Sequence, residues 1–443
     1  MPGSTEKLPN LAVSTHGKQQ GCLNLKSLPQ TRKSFRMPQP PVSSSTNLNI
    51  SIWLIPLLGA LVAFAPLSID MYLPALPSIA REFQAAAGAA QYSLATYFIG
   101  MALGQVFYGT LSDRYGRKPP LYFGLLLYVL ASIGCALAPN LSGLLICRFF
   151  QALGGCAGIV IPLAMVGDLF DQQNSAKILS RLMLVMGMAP MLAPLLGAQL
   201  LDAFGWRAIF WVLAGCGTLA LFALHFGLAE SLKIDPAARQ QISFAAALRT
   251  YRSLLRDRQY LGYALASAFA FAGMFAYIAG SPTVLIQIYG MSPQNFGWIF
   301  GSNAFGLILA SQINHYLLKR WPADRLLALA LHLMLVFGLL LLGVTYFMSH
   351  TAHQIALPFL LLPLFVFIAC IGFISPNACA GAMDEQNQQA GSASALLGSL
   401  EFAIATVAGA AVGFFSANTA LAMGTVMALC GVAAWLSYHL AKP

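Results

Sequence analysis

Charged side chains are scarce in this chain. Only 9% of its 443 residues are Asp, Glu, Lys or Arg, whereas 58% are hydrophobic. Since a typical soluble domain has about 25% charged residues, this composition excludes a soluble globular protein of the same length. Together with the mean hydropathy of +0.71, it predicts an all-α polytopic membrane protein.

Motifs for bound nucleotides and metals are also missing. The sequence has no G-x-x-x-x-G-K-[ST] phosphate loop, so we expect no nucleotide and no other cofactor. Its eight cysteines form no C-x-x-C pair, and we expect small buried hydrophobic residues rather than metal ligands or disulfides. His350 and His353 lie three residues apart, which we interpret as a solvated outer turn and not as a metal site.

The N-terminal stretch 1–50 lacks the apolar runs of the rest of the chain. It is rich in Ser, Pro, Gln and Asn, and its six Lys and Arg residues face a single acid, Glu6. Such a segment cannot bury a core, so we expect a disordered cytoplasmic tail. Because it has no apolar h-region, it is not a secretory signal. The alternative is that the true start is Met37.

Twelve apolar segments follow. The polar stretch 230–259 divides them into six and six, which predicts an N-terminal six-helix bundle at 51–229, a cytoplasmic linker, and a C-terminal six-helix bundle at 260–440. Within the linker, 242–255 is predicted as an amphipathic helix along the inner surface. Such duplication is typical of transporters whose site lies between the halves, near the midplane. The segments are 51–79, 90–110, 121–138, 142–168, 178–203, 206–229, 260–282, 294–318, 325–348, 354–382, 391–414 and 418–440.

The positive charges follow the topology of a membrane protein. If residue 1 is cytoplasmic, 21 of the 24 Lys and Arg residues lie on the inner side, with Arg81 and Arg207 outside and Arg148 within the membrane. This bias predicts that both termini are cytoplasmic. The net charge of +10 is spread over short loops, so we interpret it as a topology signal and expect no nucleic-acid partner.

Ionisable residues within apolar segments need an explanation. A charge at the centre of a spanning helix costs roughly 2.5 to 3.5 kcal/mol on insertion scales. We interpret Asp70, in segment 1, as a group that exchanges protons; the alternative is a permanent pair that only fixes helix packing. Asp70 and Arg148 both lie roughly 9 to 14 Å below the outer boundary, so we hypothesise that they pair.

The loop between segments 2 and 3 carries the most specific motif, GTLSDRYGRKPPL at 109–121. It matches every fixed position of G-x-L-x-D-R-x-G-R-[RK]-x-x-L and so resembles the signature of the major facilitator superfamily. The resemblance implies two six-helix bundles around a central cavity. It also implies a latch of the outward-open state, in which the Asp meets the N-terminal end of segment 11 and an Arg meets an acid at the inner end of segment 4. The implied latch residues are Gly109, Asp113, Arg114, Gly116, Arg117 and Asp168.

Segment 5 carries two glycines and two prolines at spacings of 3, 4 and 3 residues. This spacing places all four on one helical face, where we expect a kinked, close-packing stripe. The sequence GMAPMLAP, with a glycine three residues after its last proline, resembles the antiporter motif of drug/proton antiporters with twelve helices. The stripe consists of Gly187, Pro190, Pro194 and Gly197.

Four further stretches, at 70–77, 271–282, 296–303 and 390–395, resemble the Bcr/CflA subfamily of multidrug exporters. The resemblance implies a multi-pass antiporter of the bacterial inner membrane. It would use the proton gradient and alternating access to export small, largely apolar drugs similar to chloramphenicol, sulfonamides or bicyclomycin. The implied partners are drugs, protons and the lipid bilayer, and we expect a monomer. Proton coupling is assigned to Asp70, Arg148 and Glu401.

This sequence differs from the subfamily at two positions, which limits the residue roles that the resemblance implies. Gly167 precedes Asp168, where relatives usually have an Arg, so the local latch chemistry differs. Glu401 stands where a Gln is usual, and it introduces a second intramembrane acid. We interpret it as another proton carrier or as a recogniser of cationic drugs; a neutral structural carboxyl is the alternative.

The predicted substrate cavity rests on aromatic, Met and polar side chains, a lining that suits varied apolar drugs. Helix packing is the alternative for each aromatic residue. A metabolite transporter of the same fold, for a nucleoside or an amino acid, shares every motif. A polytopic membrane enzyme is a remote alternative, because the histidines are scattered among different segments, and we expect no enzyme. The predicted cavity residues are Met71, Tyr72, Gln151, Met274, Phe275, Tyr277 and Asn303.

Overall fold

Twelve long helices make up the fold. In a computed structural model, the described residues are 54–86, 88–170, 172–227, 244–350, 356–384, 390–415 and 420–441. Twelve helices in these ranges are long and apolar enough to cross a membrane, which confirms the predicted number of segments. The predicted tail at 1–50 lies outside the described residues. The helices are α1 (Leu54–Asp70), α2 (Tyr92–Tyr115), α3 (Lys118–Ala136), α4 (Leu141–Leu169), α5 (Gln172–Phe204), α6 (Trp206–Gly227), α7 (Arg258–Ser281), α8 (Pro293–Leu317), α9 (Ala323–His350), α10 (Leu357–Met383), α11 (Ala390–Phe415) and α12 (Leu421–Ala441).

The first span is not one continuous helix. Helix α1 ends at Asp70, and a 3-10 turn at Leu73–Ala75 and a short helix at Leu76–Glu82 continue the span. Pro74 lies within the 3-10 turn, and a proline has no N–H group to donate to a regular helix. Asp70 therefore lies at a break in the regular helix of the first span.

Helix packing repeats with a period of six helices. In the first half, α2 packs on α4, α3 on α4 and α6, and α1 on α5. In the second half, the corresponding pairs are α8 with α10, α9 with α10 and α12, and α7 with α11. This correspondence gives the two six-helix bundles of the predicted fold class.

Two seams join the bundles. Helix α2 packs on α11, and α5 packs on α8, so each seam maps onto the other when the halves are exchanged. On the second seam, a Cβ added at Gly297 of α8 would lie 2.8 Å from the Leu195 side chain of α5. Small residues thus allow the bundles to approach closely, as is typical of helices packed within membranes.

The linker contains the short helix Phe244–Leu254, close to the predicted range 242–255. Its Tyr251 and Leu254 are buried in a cluster with Tyr260 of α7 and Leu396 of α11. The sequence predicted a helix along the inner surface, whereas part of its apolar face covers the inner ends of these spanning helices. The apolar side chains of this short helix are thus buried against protein instead of in lipid.

Helix α5 approaches the break after α1 through a glycine. A Cβ added at Gly197 would collide with the carbonyl oxygen of Met71, whereas one added at Gly215 of α6 would meet no atom within 4 Å. At the other end of the same stripe, a Cβ at Gly187 would lie 3.1 Å from Ile308 of α8. The stripe of segment 5 therefore packs on α1 at one end and on α8 at the other.

We expect Gly197→Ala to destabilise the protein by about 1 to 3 kcal/mol, because the added methyl group overpacks a backbone contact. Gly215→Ala is the matched control and should be neutral or slightly stabilising, since alanine favours the helix by about 1 kcal/mol. Thermal unfolding of both purified variants in detergent measures the difference. Equal melting temperatures would contradict the close approach of α5 to Met71.

Candidate functional site: buried charges between the bundles

Asp70 is buried at the interface of the two bundles. Its side chain is 3% exposed, and the buried Oδ1 atom has no hydrogen-bond partner among the described residues. The carboxyl lies within electrostatic range of the hydroxyl groups of Tyr97 on α2 and Tyr277 on α7. Since α2 and α7 belong to different halves, a change in the charge of Asp70 is felt by both bundles.

Arg148 is the largest fully buried side chain of the described residues, and it lies on α4. Its Nη1 donates to the Ser68 carbonyl oxygen at 3.0 Å and to Oε1 of Gln151 at 2.7 Å. Its Nε and Nη2 are buried and have no hydrogen-bond partner among the described residues. The guanidinium is thus only partly satisfied and keeps donors available for another acceptor.

Aromatic rings surround the same guanidinium. Its central carbon lies 4.3 Å from the ring centre of Tyr97, 4.7 Å from that of Tyr72 and 5.8 Å from that of Phe210. A cation over aromatic faces gains about 2 kcal/mol when it is desolvated. Three rings therefore offset part of the cost of burying Arg148, although none of them carries a full negative charge.

Asp70 and Arg148 were expected to pair because they lie at similar depths. No salt bridge joins them among the described residues, so the pair is not formed in this conformation. Their depths are indeed similar, because Arg148 bonds the carbonyl of Ser68, two residues before Asp70. The rings of Tyr72 and Tyr97 and the Gln151 amide hold the guanidinium on the first bundle. Both partners therefore keep unpaired atoms.

The predicted cavity residues occur in two groups. Gln151 donates to Ser132 at 2.9 Å, and the Tyr72 and Ser93 hydroxyls share a hydrogen bond of 2.8 Å, both within the first half. In the second half, Asn303 donates to the Tyr277 hydroxyl at 3.0 Å. Met71 and Phe275 are buried, and Met274 is partly buried. The assignment of these residues to a cavity stays a prediction.

Glu401 lies in the second half and is partly buried. The Ser267 hydroxyl of α7 donates to its Oε1 at 2.7 Å. No salt bridge joins Glu401 to a cation among the described residues. The chain therefore holds two intramembrane carboxyls without a cationic partner, one at the break after α1 and one on α11.

The residues predicted to form a latch lie where α2, α3 and α4 meet, and their role as a latch stays a prediction. Arg117 donates from Nε to Asp168 at 2.7 Å, from Nη1 to Asp113 at 2.6 Å and to Ser112 at 2.8 Å. Burial alone would lower the pKa of Arg117, but Asp168 and Asp113 raise it above the usual value, so the guanidinium stays charged. Gly116 has φ 92°, a conformation that favours glycine and turns the chain into α3.

The other latch residues lie nearby. Asp113 is exposed and accepts its bond from Arg117, and the Arg114 guanidinium carbon lies 5.5 Å from the ring centre of Tyr115. At this inner end, a Cβ at Gly109 would lie 3.9 Å from Ala395 of α11. The inner ends of α2 and α11 are therefore in contact.

The two halves are also in contact at the start of α2 and the end of α7. Gln91, just before α2, donates to the Thr283 hydroxyl at 3.0 Å, and Thr283 lies in the π-helical turn Pro282–Ile288 that follows α7. A cleft of about 470 Å³ opens above this bond, with Arg81 and Gln287 in its lining, and none of the seven predicted cavity residues lines it. The two halves are therefore in contact near both ends of α2.

Sequence reasoning missed three parts of this site: the ring of Tyr97, the bond between Gln91 and Thr283, and the π-helical turn. Tyr97 carried a weak signal, because it lies within an apolar segment and has a polar end that needs a partner. Gln91 and Thr283 are 192 residues apart, and a single sequence contains no signal for such a contact. Among the described residues, no group of three or more His, Cys, Asp or Glu is placed to hold a metal ion.

Twelve helices long enough to span a membrane, in two corresponding halves that bury a carboxyl and a guanidinium not paired with each other, define a membrane transporter. A family model described as Major Facilitator Superfamily matches residues 58–410. The chain belongs to this family.

Relatives and solved structures are consistent with this family. The chain is 36% identical over 388 residues to the uncharacterized MFS-type transporter YdgK of Bacillus subtilis, covering 86% of this chain and 93% of that protein. It is 31% identical over 383 residues to a bicyclomycin resistance protein homolog of Haemophilus influenzae, covering 86% and 94%. It is 32% identical over 245 residues to the multidrug resistance protein MdtL of Escherichia fergusonii, covering 55% and 61%. A D-xylose-proton symporter crystal structure has a TM-score of 0.66 at 14% identity, covers 86% of this chain and 96% of that one, and shows the fold alone.

We expect Arg117→Ala to destabilise the protein by about 3 kcal/mol, because it leaves Asp168 without its cation in a partly buried site. Arg114→Ala removes the same charge from an exposed position of the same loop and should cost about 1 kcal/mol or less. Unfolding of the purified variants in detergent measures both effects. Similar losses in the two variants would show that loop charge, and not the bonded geometry of Arg117, stabilises this end.

Proposed function

We propose that this protein exports small, largely apolar drugs in exchange for protons, and that Asp70 is the group that binds the proton. One observation carries the proposal: a carboxyl oxygen of Asp70 is buried without a hydrogen-bond partner among the described residues, and two residues earlier the Ser68 carbonyl binds a buried guanidinium that has unused donors. The printed names of two relatives, a bicyclomycin resistance protein homolog and a multidrug resistance protein, support drug export. The Bcr/CflA resemblance supports antiport.

Two environments for Asp70 supply the coupling. In the conformation described here, burial without a partner favours the neutral carboxylic acid, because an isolated charge is costly in the membrane interior. If the bundles rotate and Asp70 meets the free donors of Arg148, the carboxylate is favoured and the proton leaves. Alternation between these environments binds a proton on one side of the membrane and releases it on the other.

The proton gradient is sufficient for this work. A proton-motive force of about 150 mV supplies about 3.5 kcal/mol per proton, which corresponds to a drug gradient of roughly two and a half decades. No nucleotide enters this scheme. In it, the bundles at 51–229 and 260–440 move as units, and the bonds of Arg117 hold the inner ends of α2, α3 and α4 together while the outer end opens.

The topology follows from the positive charges. We place the protein in the bacterial inner membrane with both termini in the cytoplasm, as a monomer. Green fluorescent protein fused after Pro443 should fluoresce, and alkaline phosphatase fused there should be inactive, because the first matures in the cytoplasm and the second outside it. The opposite pattern would invert the topology and move Arg117 to the outer side.

We expect Asp70→Asn to abolish proton-driven export of chloramphenicol from the cytoplasm, measured as drug uptake into inverted vesicles with and without a proton gradient. Asparagine keeps the size of the side chain but cannot release a proton. Drug exchange without a gradient should persist, because rotation of the bundles does not require the charge. Asp202→Asn removes an exposed carboxyl at the end of α5 and should leave export unchanged.

Full proton-driven export by Asp70→Asn would overturn the role of Asp70. A wild-type protein that transports none of the drugs but transports nucleosides or amino acids in the same vesicles would favour the metabolite carrier of the same fold. A panel with both kinds of compound therefore separates the two functions in one experiment.

A further inference from the structure

Helices α3 and α4 pack with their backbones close together. A Cβ added at Gly154 of α4 would lie 2.5 Å from the backbone nitrogen of Tyr128 on α3. Further along the same pair of helices, Gln151 donates to the Ser132 hydroxyl at 2.9 Å. These contacts fix an antiparallel register, in which a step forward along α3 matches a step backward along α4.

This register places Cys135 opposite Cys147. Cys135 comes seven residues after Tyr128, and Cys147 comes seven residues before Gly154. Because seven residues make about two helical turns, each cysteine shares the face of its helix that makes the contact between Tyr128 and Gly154. Accordingly, a Cβ added at Gly134 would lie 2.8 Å from the Sγ atom of Cys147, and the two thiols lie within range of a hydrogen bond.

Opposite positions on closely packed helices suit a disulfide, whose Cα atoms lie about 4.4 to 6.8 Å apart. Both thiols are free in the structure, with Cys135 buried and Cys147 partly buried. A reagent therefore reaches Cys147 before it reaches Cys135. The sequence predicted separate buried thiols because the two cysteines are far apart along the chain, and only the packing of α3 on α4 brings them together.

The thiol pair borders the buried guanidinium of Arg148. Arg148 directly follows Cys147, and the Cys135 sulfur lies within electrostatic range of both Arg148 and Tyr72. Tyr72 supplies one of the rings around this guanidinium. A bond between the two sulfurs would thus fasten α4 to α3 directly beside the cation.

We propose that Cys135 and Cys147 form a redox-active thiol pair that organic disulfides oxidise, and that the resulting disulfide restrains Arg148 and slows export. The second part rests on the export function proposed above, in which Arg148 must meet Asp70. In the topology proposed there, the end of α3 lies on the outer side of the membrane, and the bacterial periplasm is an oxidising compartment.

The oxidation is a thiol–disulfide exchange in two steps. The Cys147 thiolate attacks one sulfur of the organic disulfide, so that a new S–S bond forms and the other half leaves as a thiolate. The Cys135 thiolate then attacks the Cys147 sulfur and displaces the second half. The protons of both cysteines end on the two released thiols. The protein loses the two electrons that the organic disulfide gains.

Reaction of the purified full-length protein in nanodiscs with dithiodipyridine tests the pair. After the remaining thiols are blocked with N-ethylmaleimide, mass spectrometry of the digested protein should show the Cys135 and Cys147 peptides joined. The pair should release about two thiopyridones and keep no pyridyl group. Cys135→Ser should instead keep a pyridyl group on Cys147, because no second thiol displaces it. Cys216→Ser removes a partly buried thiol of α6 and should leave the joined peptide unchanged.

Export is then measured as proton-driven chloramphenicol uptake into inverted vesicles before and after oxidation. The oxidised wild type should lose uptake, and dithiothreitol should restore it, because reduction of the disulfide frees α4 from α3. Uptake by Cys147→Ser should respond to neither reagent.

A pyridyl group on Cys216 without joined Cys135 and Cys147 peptides would overturn the thiol pair, since the reagent would have reached the membrane interior. A joined protein that exports as fast as the reduced one would overturn the restraint on Arg148. A reduced wild type without proton-driven export would contradict the proposed function and the restraint with it, whereas joined peptides in that protein would still support the thiol pair.

Discussion

Arg148 imposes the constraint on which the rest of the site depends. A guanidinium that is fully buried within a membrane-spanning helix needs electron-rich neighbours, and a protein has few ways to supply them without another charge. Here they are the Ser68 carbonyl, the Gln151 amide and the rings of Tyr72 and Tyr97. These neighbours come from α1, α2, α4 and the break after α1, so binding one cation fixes how the first bundle packs around Asp70.

The seams explain how such a site can be used. The first seam is held at its inner end by small residues around Gly109, in the middle by phenylalanine rings, and at its outer end by the bond between Gln91 and Thr283. None of these contacts is an ion pair. The strongly bonded Arg117, in contrast, lies within the first bundle and supports its inner end as that bundle moves.

Much of the fold could be predicted from the chain alone, because spanning helices need long apolar runs and the runs can be counted. The resemblance to a family motif also led to the expectation that an Arg of this loop meets Asp168, and Arg117 does bond it; the role of these residues as a latch stays a prediction. The pairing of Asp70 with Arg148 was inferred from depth, and the conformation described here does not contain it. Spacing along a helix gives depth in the membrane, but the direction of a side chain around the helix axis depends on packing with other helices. For the same reason, the contact of Gln91 with Thr283 and the position of Tyr97 required the structure.

Asp70 and Glu401 are both acids within apolar segments, but their surroundings differ. The Oδ1 atom of Asp70 is buried without a hydrogen-bond partner among the described residues, whereas Glu401 accepts a hydrogen bond from the Ser267 hydroxyl. A hydrogen bond to the charged form favours that form, and burial without one disfavours it. The same chemical group is therefore held in two different settings within one chain.

The central claim is that Asp70 gives up a proton when drug binding moves the bundles. Proton release from the purified protein on addition of chloramphenicol, followed with a pH indicator in weakly buffered solution, tests this claim most directly. The account predicts release by the wild type and none by Asp70→Asn at equal drug occupancy. Equal release by both proteins would contradict it.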